Sequence, residues 1–320
     1  MKNMFERLLE QKYGLHFIGA EKSAVGAGSD TWFIDCSEGK FVMKFPSESD
    51  INRPEQEPEL CEFLEKRGIP VCSFLRDKSG NFLSEDGEGR RFTLQKFISG
   101  ICPDWNTAAD DILNESAEML GKIHAVLKDY PPLPVGIGQD FFRFMTPGRA
   151  SESYRRSLKI AEERGEREIA EDLKWRLSFV EDPPWKNFDF DRLTVRNTHG
   201  DYFISQFICE NGHLKAVIDW TTACVHPVVW EIMRSFVYGS PKCADGTIDE
   251  EGLKRYVEGY CRFGTLNDYD LQNLRSIFYY QIAVCDYYGQ YYASTASNRG
   301  IYLRQAVFST KLLKNYTENT

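Results

Sequence analysis

Short apolar runs separated by polar turns dominate the first hundred residues of the chain. Residues 3–12 carry apolar positions at helical spacing, which predicts an opening helix, and residues 54–67 repeat that pattern. The other runs are rich in β-branched and aromatic residues and are bounded by turn formers, which predicts strands and hairpins. The predicted strands cover residues 15–19, 31–36, 41–45, 73–75 and 91–98.

The remaining two thirds of the chain are mainly helical in pattern. The predicted helices cover residues 108–127, 150–165, 166–181, 248–263, 267–292 and 300–315. Thr107 is the predicted N-cap of the first of them. Six tyrosines between residues 279 and 292, together with Asp286, form a stripe that can pack in the core or surround a protonated amine. Helical spacing favours packing.

Residues 199–220, HGDYFISQFICENGHLKAVIDW, depart from this helical pattern. They predict a tight loop, a short strand, a turn and a second strand. Strands joined by a tight turn pair antiparallel, so their outer ends return to the same edge. Asp201, Gln206 and Asp219 are therefore expected to converge. A carboxylate base beside a polar ligand and a second carboxylate is the set of groups that metal-assisted phosphoryl transfer requires.

Composition narrows the class of protein without naming a function. The length of 320 residues suffices for two lobes with a sizeable core, and the net charge of −9 argues against a general nucleic-acid or anionic-membrane binder. Nine cysteines stand singly with no CxxC pair, which argues against a zinc site and predicts a reducing, cytoplasmic location. No apolar run approaches the roughly 18–20 residues of a membrane span.

The HGD and IDW motifs at this spacing resemble the catalytic segment of the aminoglycoside phosphotransferase and choline kinase family, the small-molecule relatives of protein kinases. The resemblance covers nearly the whole chain. It implies an α+β, protein-kinase-like bilobal fold, with an antiparallel sheet plus a helix in the N-lobe and a mostly helical C-lobe. The implied nucleotide-binding lobe covers residues 1–98. The implied catalytic and substrate-binding lobe covers residues 99–320, with a helical insertion at 135–192.

Within the first lobe the resemblance implies a phosphate-binding set. The Gly/Ser-rich segment 20–30, which contains Ser23, can lay backbone N–H groups over phosphates or form an ordinary hairpin turn. Lys44 stands in an apolar strand, where a cation is costly to bury unless it is paired. In the family such a lysine contacts the phosphates and is held by a helix glutamate, here Glu57 by family spacing. The alternative for Lys44 is an edge-strand lysine that reaches solvent.

Two further nucleotide contacts are implied at the linker between the lobes. Residues 91–98 end in the sequence QKFI, followed by Ser99 and Gly100. In the family the backbone of this linker hydrogen-bonds the edge of the adenine. Gln95 and Phe97 are the expected contacts, through main-chain atoms.

The second set of implied roles falls on residues 199–231. Asp201 is expected to be the catalytic base, with Gln206 and Asp219 as ligands of Mg²⁺. His199 and Glu231 are expected to give structural support to the loop. The family carries Asn where this chain has Gln206.

The resemblance implies an ATP-dependent phosphotransferase that uses Mg²⁺ and acts on a hydroxyl of a small metabolite, such as an amino alcohol, a sugar or an aminoglycoside-like compound. The expected protein is a monomer or homodimer with no nucleic-acid or membrane partner. Because Gln206 replaces Asn, the alternative is a weak or inactive nucleotide-binding homologue, spore-coat-like or regulatory. A third reading treats HGD as coincidental in an unrelated protein.

Overall fold

The computed structural model describes residues 2–23, 30–46, 55–104, 108–133, 145–183, 189–294 and 296–318. The chain folds as two compact units. The first unit contains Met1–Pro103 and Ser205–Ala223, and the second contains Asp104–Ile204 and Cys224–Thr320. The hairpin that follows the HGD motif thus belongs to the same unit as the N-terminal sheet. The lobe boundary after residue 98 stays a prediction.

A five-stranded antiparallel sheet forms the centre of the first unit, in the order β1-β2-β3-β5-β4. The elements are α1 (Lys2–Tyr13), β1 (Phe17–Lys22), β2 (Asp30–Cys36), β3 (Gly39–Phe45), α2 (Gln56–Glu65), β4 (Leu83–Glu85) and β5 (Arg91–Lys96). The helices α1 and α2 and the strands β1, β2, β3 and β5 overlap the predicted elements, whereas β4 was not predicted. Residues 73–75 contribute an isolated bridge between Phe74 and Gln95 in place of a full strand.

The two faces of this sheet have different roles because side chains alternate along a strand. On one face Ile34, Met43 and Leu94 pack with Leu8 and Leu9 of α1 into a fully buried cluster. The opposite face carries Val42 and Lys44 of β3, with Phe33 of β2 paired to Val42 and Thr31 paired to Lys44. The apolar face of α1 therefore covers one side of the sheet and leaves the lysine on the other.

The antiparallel hairpin expected after HGD is present in the first unit. Strands β7 (Phe207–Glu210) and β8 (His213–Val217) pair with each other, and β7 also bridges Ile101. The turn uses Asn211 and Gly212, both with positive φ (55° and 82°). Two positive φ values are the requirement of the two-residue turn that matches the right-handed strand twist, and Asn-Gly meets it at little steric cost.

Gly100 fits where a side chain would not. Its φ is 146°, and a Cβ added there would lie 2.6 Å from the Cys209 carbonyl oxygen and 2.5 Å from the Ile208 methyl group. We expect Gly100→Ala to lower the free energy of unfolding by more than the roughly 1–3 kcal/mol of backbone strain alone, measured by urea denaturation. Gly39→Ala is the matched control, because Gly39 has φ 137° and no atom within 4 Å. Equal losses of unfolding free energy in the two variants would contradict the close approach of Gly100 to Ile208 and Cys209.

The second unit is mostly helical, as the sequence pattern predicts. Its helices are α3 (Asp110–Leu127), α4 (Pro147–Arg164), α5 (Arg167–Glu181), α6 (Val228–Gly239), α7 (Glu250–Cys261), α8 (Asp268–Val284), α9 (Tyr287–Ala293) and α10 (Ala296–Glu318). Two short strands, β6 (Val195–Thr198) and β9 (Cys224–Pro227), pair antiparallel. The sheet of the first unit and the helices of the second confirm the α+β prediction. The expected N-cap Thr107 lies outside the described residues.

The tyrosine stripe is interrupted where the sequence predicts one continuous helix. Cys285 is extended (ψ 130°), and the Asp286 side chain accepts from Gly289 N at 3.0 Å to begin a new helix. The other Asp286 oxygen accepts from Ser153 Oγ at 2.6 Å. Four of the six tyrosines are buried and pack in the core: Tyr279, Tyr280, Tyr287 and Tyr288. The carboxylate of Asp286, which the sequence offered as the partner of a bound amine, acts as a helix cap.

The helices in the described part of the chain are too short or too polar to cross a membrane.

Candidate active site

A buried lysine paired with two carboxylates is the main polar feature of the first unit. Lys44 Nζ lies 3.5 Å from Glu57 Oε1 and 3.1 Å from Asp219 Oδ1. The Lys44 side chain is 15% exposed and that of Glu57 is 9% exposed, whereas that of Asp219 is 42% exposed. Lys44 is therefore a paired cation, and Asp219 is the member of the cluster that solvent reaches.

Charge and burial oppose each other in this cluster. Burial disfavours the charged form of Lys44, but the carboxylates of Glu57 and Asp219 outweigh it and raise the Lys44 pKa. Burial raises the pKa of Glu57, while Lys44 and the Trp220 N–H oppose that rise. The lysine is a permanent cation, which suits a group that neutralises phosphate charge.

Glu57 also fixes the backbone beside Asp219. Its Oε1 accepts from Trp220 N at 3.1 Å, and the neighbouring Gln56 Nε2 donates to the Ala223 carbonyl at 2.9 Å. Asp219 itself adopts a left-handed conformation, with φ 62° and ψ 64°. A non-glycine residue in that region costs free energy and persists only when its surroundings determine it. Here α2 holds the chain on the C-terminal side of Asp219.

A further bond orients the Asp219 carboxylate. Thr221 Oγ1 donates to Asp219 Oδ1 at 3.1 Å, so this oxygen receives both a cation and a hydroxyl. A carboxylate offers about four acceptor positions on its two oxygens. The arrangement fixes the direction of the carboxylate while it retains the capacity to bind a cation.

The backbone of Gln206 lies beside that of Asp219. Ile218 N donates to the Gln206 carbonyl at 2.9 Å, which extends the β7–β8 ladder to the edge where both residues sit. The expectation that the hairpin returns these two positions to one edge is thus met in the backbone. Asp201 belongs to the second unit. Its convergence with the other two stays a prediction.

The oxygen ligands near Asp219 suit magnesium when a nucleotide supplies the remaining ligands. Within the described ranges, no group of three or more His, Cys, Asp or Glu side chains is placed to hold a metal ion. Magnesium commonly takes one or two protein oxygens and completes its shell with phosphates and water. One exposed carboxylate beside one amide residue fits that pattern.

The other expected nucleotide contacts lie on the same sheet. Ser23 N donates to the Thr31 carbonyl at 2.9 Å and so continues the β1–β2 ladder, while residues 24–29 lie outside the described residues. Gln95 is buried on β5 and pairs with Val42. Phe97 N donates to the Lys40 carbonyl at 3.0 Å, so an adenine contact at Phe97 requires another of its main-chain groups.

The HGD loop of the second unit is held by one acid on α6. Gly200 has φ 81°, and its N–H donates to Glu231 Oε1 at 2.6 Å. His199 is fully buried, and its Nδ1 accepts from Asp201 N at 3.3 Å. The loop therefore turns at a glycine and is tied both within itself and to the helix. This geometry agrees with the supporting roles expected of His199 and Glu231.

A buried chain of hydrogen bonds continues from Glu231 to α3 and α7. Glu231 Oε2 lies 2.8 Å from His124 Nε2, and His124 Nδ1 lies 2.9 Å from Tyr260 OH. Burial opposes ionisation of Glu231, but His124, His199 and the Gly200 N–H outweigh it and lower the Glu231 pKa. His124 therefore positions the acid that supports the loop.

We expect Glu231→Gln to lower the free energy of unfolding by about 1–3 kcal/mol at pH 7, because a buried hydrogen-bonded carboxylate is lost. A lowered pKa stabilises the fold above the ordinary carboxyl range and loses that contribution as the pH falls. The gap between wild type and variant should therefore narrow below about pH 4.5 in urea denaturation. Exposed Glu168→Gln is the control. A gap that stays constant with pH would contradict the assigned charge on Glu231.

One residue of this loop environment was missed by sequence reasoning. Arg234, one turn after Glu231 on α6, forms an ion pair through Nη2 with Asp201 Oδ1. Its only sequence signal is the i, i+3 spacing from Glu231, which places both residues on one helix face.

Comparison with known proteins agrees with this fold. A model of the phosphotransferase enzyme family matches residues 20–270. The chain therefore belongs to the phosphotransferase enzyme family. No curated protein matches the sequence.

Solved structures of similar fold share little sequence with this chain. An amicoumacin kinase, hAmiN, in complex with AMP-PNP, Ca²⁺ and Ami is 11% identical over 97% of this chain and 93% of its own, with a TM-score of 0.64. Spectinomycin phosphotransferase APH(9)-Ia, in complex with ADP and spectinomycin, is 15% identical over 97% and 94%, with a TM-score of 0.61. Wild-type aminoglycoside 2'-phosphotransferase-IIIa, as a GDP complex, is 14% identical over 97% and 98%, also at 0.61.

Proposed function

We propose that this protein is an ATP-dependent kinase that phosphorylates a hydroxyl group of a small molecule. The observation that carries the proposal is the position of Lys44, which pairs with the buried Glu57 and with the partly exposed Asp219. Lysine, helix glutamate and metal-binding aspartate are the groups that position a nucleoside triphosphate for phosphoryl transfer. Membership of the phosphotransferase family and the nucleotide complexes of similar structures support this proposal.

In the proposed reaction the acceptor hydroxyl oxygen forms a bond to the γ-phosphorus as the bond from that phosphorus to the β–γ bridging oxygen breaks. Asp201 accepts the hydroxyl proton, and ADP leaves with the electron pair of the broken bond. Lys44 neutralises charge on the α- and β-phosphates, and Glu57 fixes its direction. Asp219 and Gln206 would hold magnesium, which when bound neutralises charge on the phosphates. His199 and Glu231 maintain the loop that presents Asp201.

We also propose nucleotide contacts at Ser23, Gln95 and Phe97, the last two through main-chain groups. Ser23 would contact phosphate from the loop after β1. Gln95 and Phe97 would contact the base through main-chain groups, with the Phe97 N–H already engaged by Lys40.

The similar proteins support a broad class of acceptor rather than one particular compound. Relatives of this fold act on spectinomycin, aminoglycosides and amicoumacin, by the names of their complexes. We propose an amino alcohol, a sugar or an aminoglycoside-like compound. We further propose a cytoplasmic monomer or homodimer without a nucleic-acid or membrane partner, in keeping with nine free cysteines and a net charge of −9.

The deciding experiment is a screen for ATP consumption with Mg²⁺ across aminoglycosides, choline, ethanolamine, homoserine, methylthioribose and free sugars. The proposal expects at least one acceptor to be consumed together with ATP and to gain the mass of a phosphoryl group. Consumption of ATP with no phosphorylated product in any arm, or no ATP binding at all, would contradict it.

Gln206 supports a second candidate, a nucleotide-binding homologue with weak or no transfer. One extra methylene moves the amide by about 1.5 Å relative to Asn, and magnesium requires near-octahedral geometry. The Gln206→Asn variant separates the two candidates in the same screen. A kinase already active with Gln206 should turn over in both forms, whereas a binding homologue should gain turnover only with Asn or show none in either form.

A further inference from the structure

Arg234 is largely buried, and burial of a cation costs free energy unless other groups compensate its charge. Its side chain is 14% exposed, and its guanidinium carbon lies 5.0 Å from the ring of Phe203, 5.6 Å from Trp230 and 5.2 Å from Tyr238. Three aromatic rings around one guanidinium supply cation–π attraction and exclude water. They also fix the plane and direction of the guanidinium.

Asp201 is the carboxylate that compensates this buried charge. In the part of the chain that the structure describes, the ion pair recorded for Arg234 is the one to Asp201 Oδ1. Burial lowers the stability of the charged guanidinium, but Asp201 outweighs it and raises the Arg234 pKa. The Nε atom of Arg234 is buried and has no hydrogen-bond partner among the described residues. The contact that distinguishes this arginine is therefore the ion pair through Nη2, which directs the guanidinium toward Asp201.

Helix α6 therefore contacts the HGD loop at two points one turn apart. Glu231 accepts from the backbone N–H of Gly200 at 2.6 Å, and Arg234 donates to the side chain of Asp201. The first contact fixes the loop backbone and the second fixes the carboxylate. Because a carboxylate has about four acceptor positions, Asp201 can accept from Arg234 and from an acceptor hydroxyl at the same time.

We propose that Arg234 is a positioning residue for phosphoryl transfer, which holds the Asp201 carboxylate in the orientation that receives the acceptor hydroxyl. This inference rests on the proposed kinase function. Arg234 touches neither nucleotide nor acceptor in this role. It acts through Asp201, so its removal affects the chemical step and leaves nucleotide binding in place.

The test compares Arg234→Met, Arg234→Lys and Arg196→Met with wild type, using the acceptor found by the ATP-consumption screen. Arg234→Met keeps an apolar side chain in the aromatic surround but removes the ion pair. It should lower kcat about 100-fold, the cost of a displacement of the base by about 1 Å. The KM for ATP and the Mg-dependent binding of AMP-PNP should stay within about twofold of wild type, which is less than 0.5 kcal/mol. Arg234→Lys should recover part of kcat.

Arg196 provides the matched control for loss of a half-buried arginine in the same unit. Its Nη2 donates to Thr265 Oγ1 at 2.9 Å, and Arg196→Met should leave kcat unchanged even if the melting temperature falls. Combining Arg234→Met with Asp201→Asn should add no further loss to that of Asp201→Asn alone, because both changes remove the same oriented base.

The outcomes separate this inference from the proposed function. If wild type transfers phosphate and Arg234→Met has the kcat of wild type, or loses kcat and AMP-PNP binding together, the positioning role is wrong while the kinase stands. If wild type transfers phosphate to no acceptor, the proposed function fails before the arginine is tested. A variant that does not fold is replaced by Arg234→Lys, whose kcat must then fall while AMP-PNP binding holds.

Discussion

Asp201→Asn should strongly slow phosphoryl transfer while it preserves nucleotide binding. The amide is nearly isosteric with the carboxylate and can still face Arg234, but it cannot accept the proton of the acceptor hydroxyl. General-base removal costs on the order of 100- to 10,000-fold in rate. We expect kcat to fall by that factor, with the dissociation constant of AMP-PNP in Mg²⁺ unchanged, measured by coupled ADP release and by calorimetry.

The control for this prediction is Asp191→Asn, which removes an exposed carboxylate in the second unit. It should behave as wild type in both assays. Full activity of Asp201→Asn would remove the assigned base. Loss of AMP-PNP binding in Asp201→Asn would place Asp201 in the nucleotide site and contradict its assignment to the acceptor.

Lys44→Met should lose both nucleotide binding and stability. Without the cation, the Glu57 carboxylate stays buried beside Asp219 with no opposite charge. Breaking one partner of a buried ion pair costs about 3–5 kcal/mol. We expect a loss of that size in urea denaturation at pH 7, and a loss of AMP-PNP affinity of at least about tenfold, or 1.4 kcal/mol.

The pH dependence identifies Glu57 as the source of this instability. Burial already raises the pKa of Glu57, and loss of Lys44 removes the charge that opposes the rise. An acid with a raised pKa favours the folded state at low pH and loses that contribution as the pH rises through its folded value. Lys44→Met should therefore be closer to wild type in stability at pH 5 than at pH 8.

The double variant Lys44→Met/Glu57→Gln separates the two effects of the lysine. Removing the stranded carboxylate should restore most of the stability, because replacement of a whole buried pair is often nearly neutral. AMP-PNP binding should not return. If the double variant regained binding, or if Lys44→Met were as stable as wild type at pH 8, the assigned charge cluster would be wrong.

The predictable parts of the site were those set by local sequence. The pairing of Lys44 could be expected because a cation within an apolar strand is costly to bury alone, although an edge-strand lysine that reaches solvent stayed an alternative. The Asn211-Gly212 turn between two β-prone runs predicts the hairpin that returns to Asp219. Both features depend on residues within one short segment of the chain. The antiparallel sheet and the helical second half follow in the same way from the periods of 2 and 3.6 residues.

The parts that sequence could not supply depend on contacts between distant segments. Five glutamates lie between residues 55 and 65, and only family spacing selected Glu57; its bonds to Lys44 and Trp220 come from the packing of α2. Aspartate tolerates a positive φ, so the left-handed backbone of Asp219 leaves no mark in the sequence. In the sequence Arg234 looks like an ordinary helical arginine. Its three aromatic neighbours and its ion pair with Asp201 are apparent only in the structure.

The helix break at Cys285 was missed for a related reason. Proline is absent there, and the capping aspartate lies within a run of aromatic residues that fits a continuous helix. The strands β6 and β9 were missed because each has only four residues and their partners are about thirty positions apart. Pairing at such separation is decided by packing of the whole unit rather than by local propensity.

The most direct test of the charge cluster is calorimetric titration of AMP-PNP with and without Mg²⁺, for wild type and for Asp219→Asn. We expect Mg²⁺ to tighten binding at least about tenfold in wild type, or 1.4 kcal/mol, and by much less in Asp219→Asn. Equal binding of AMP-PNP in Mg²⁺ and in EDTA by wild type, or an unchanged magnesium effect in Asp219→Asn, would contradict it.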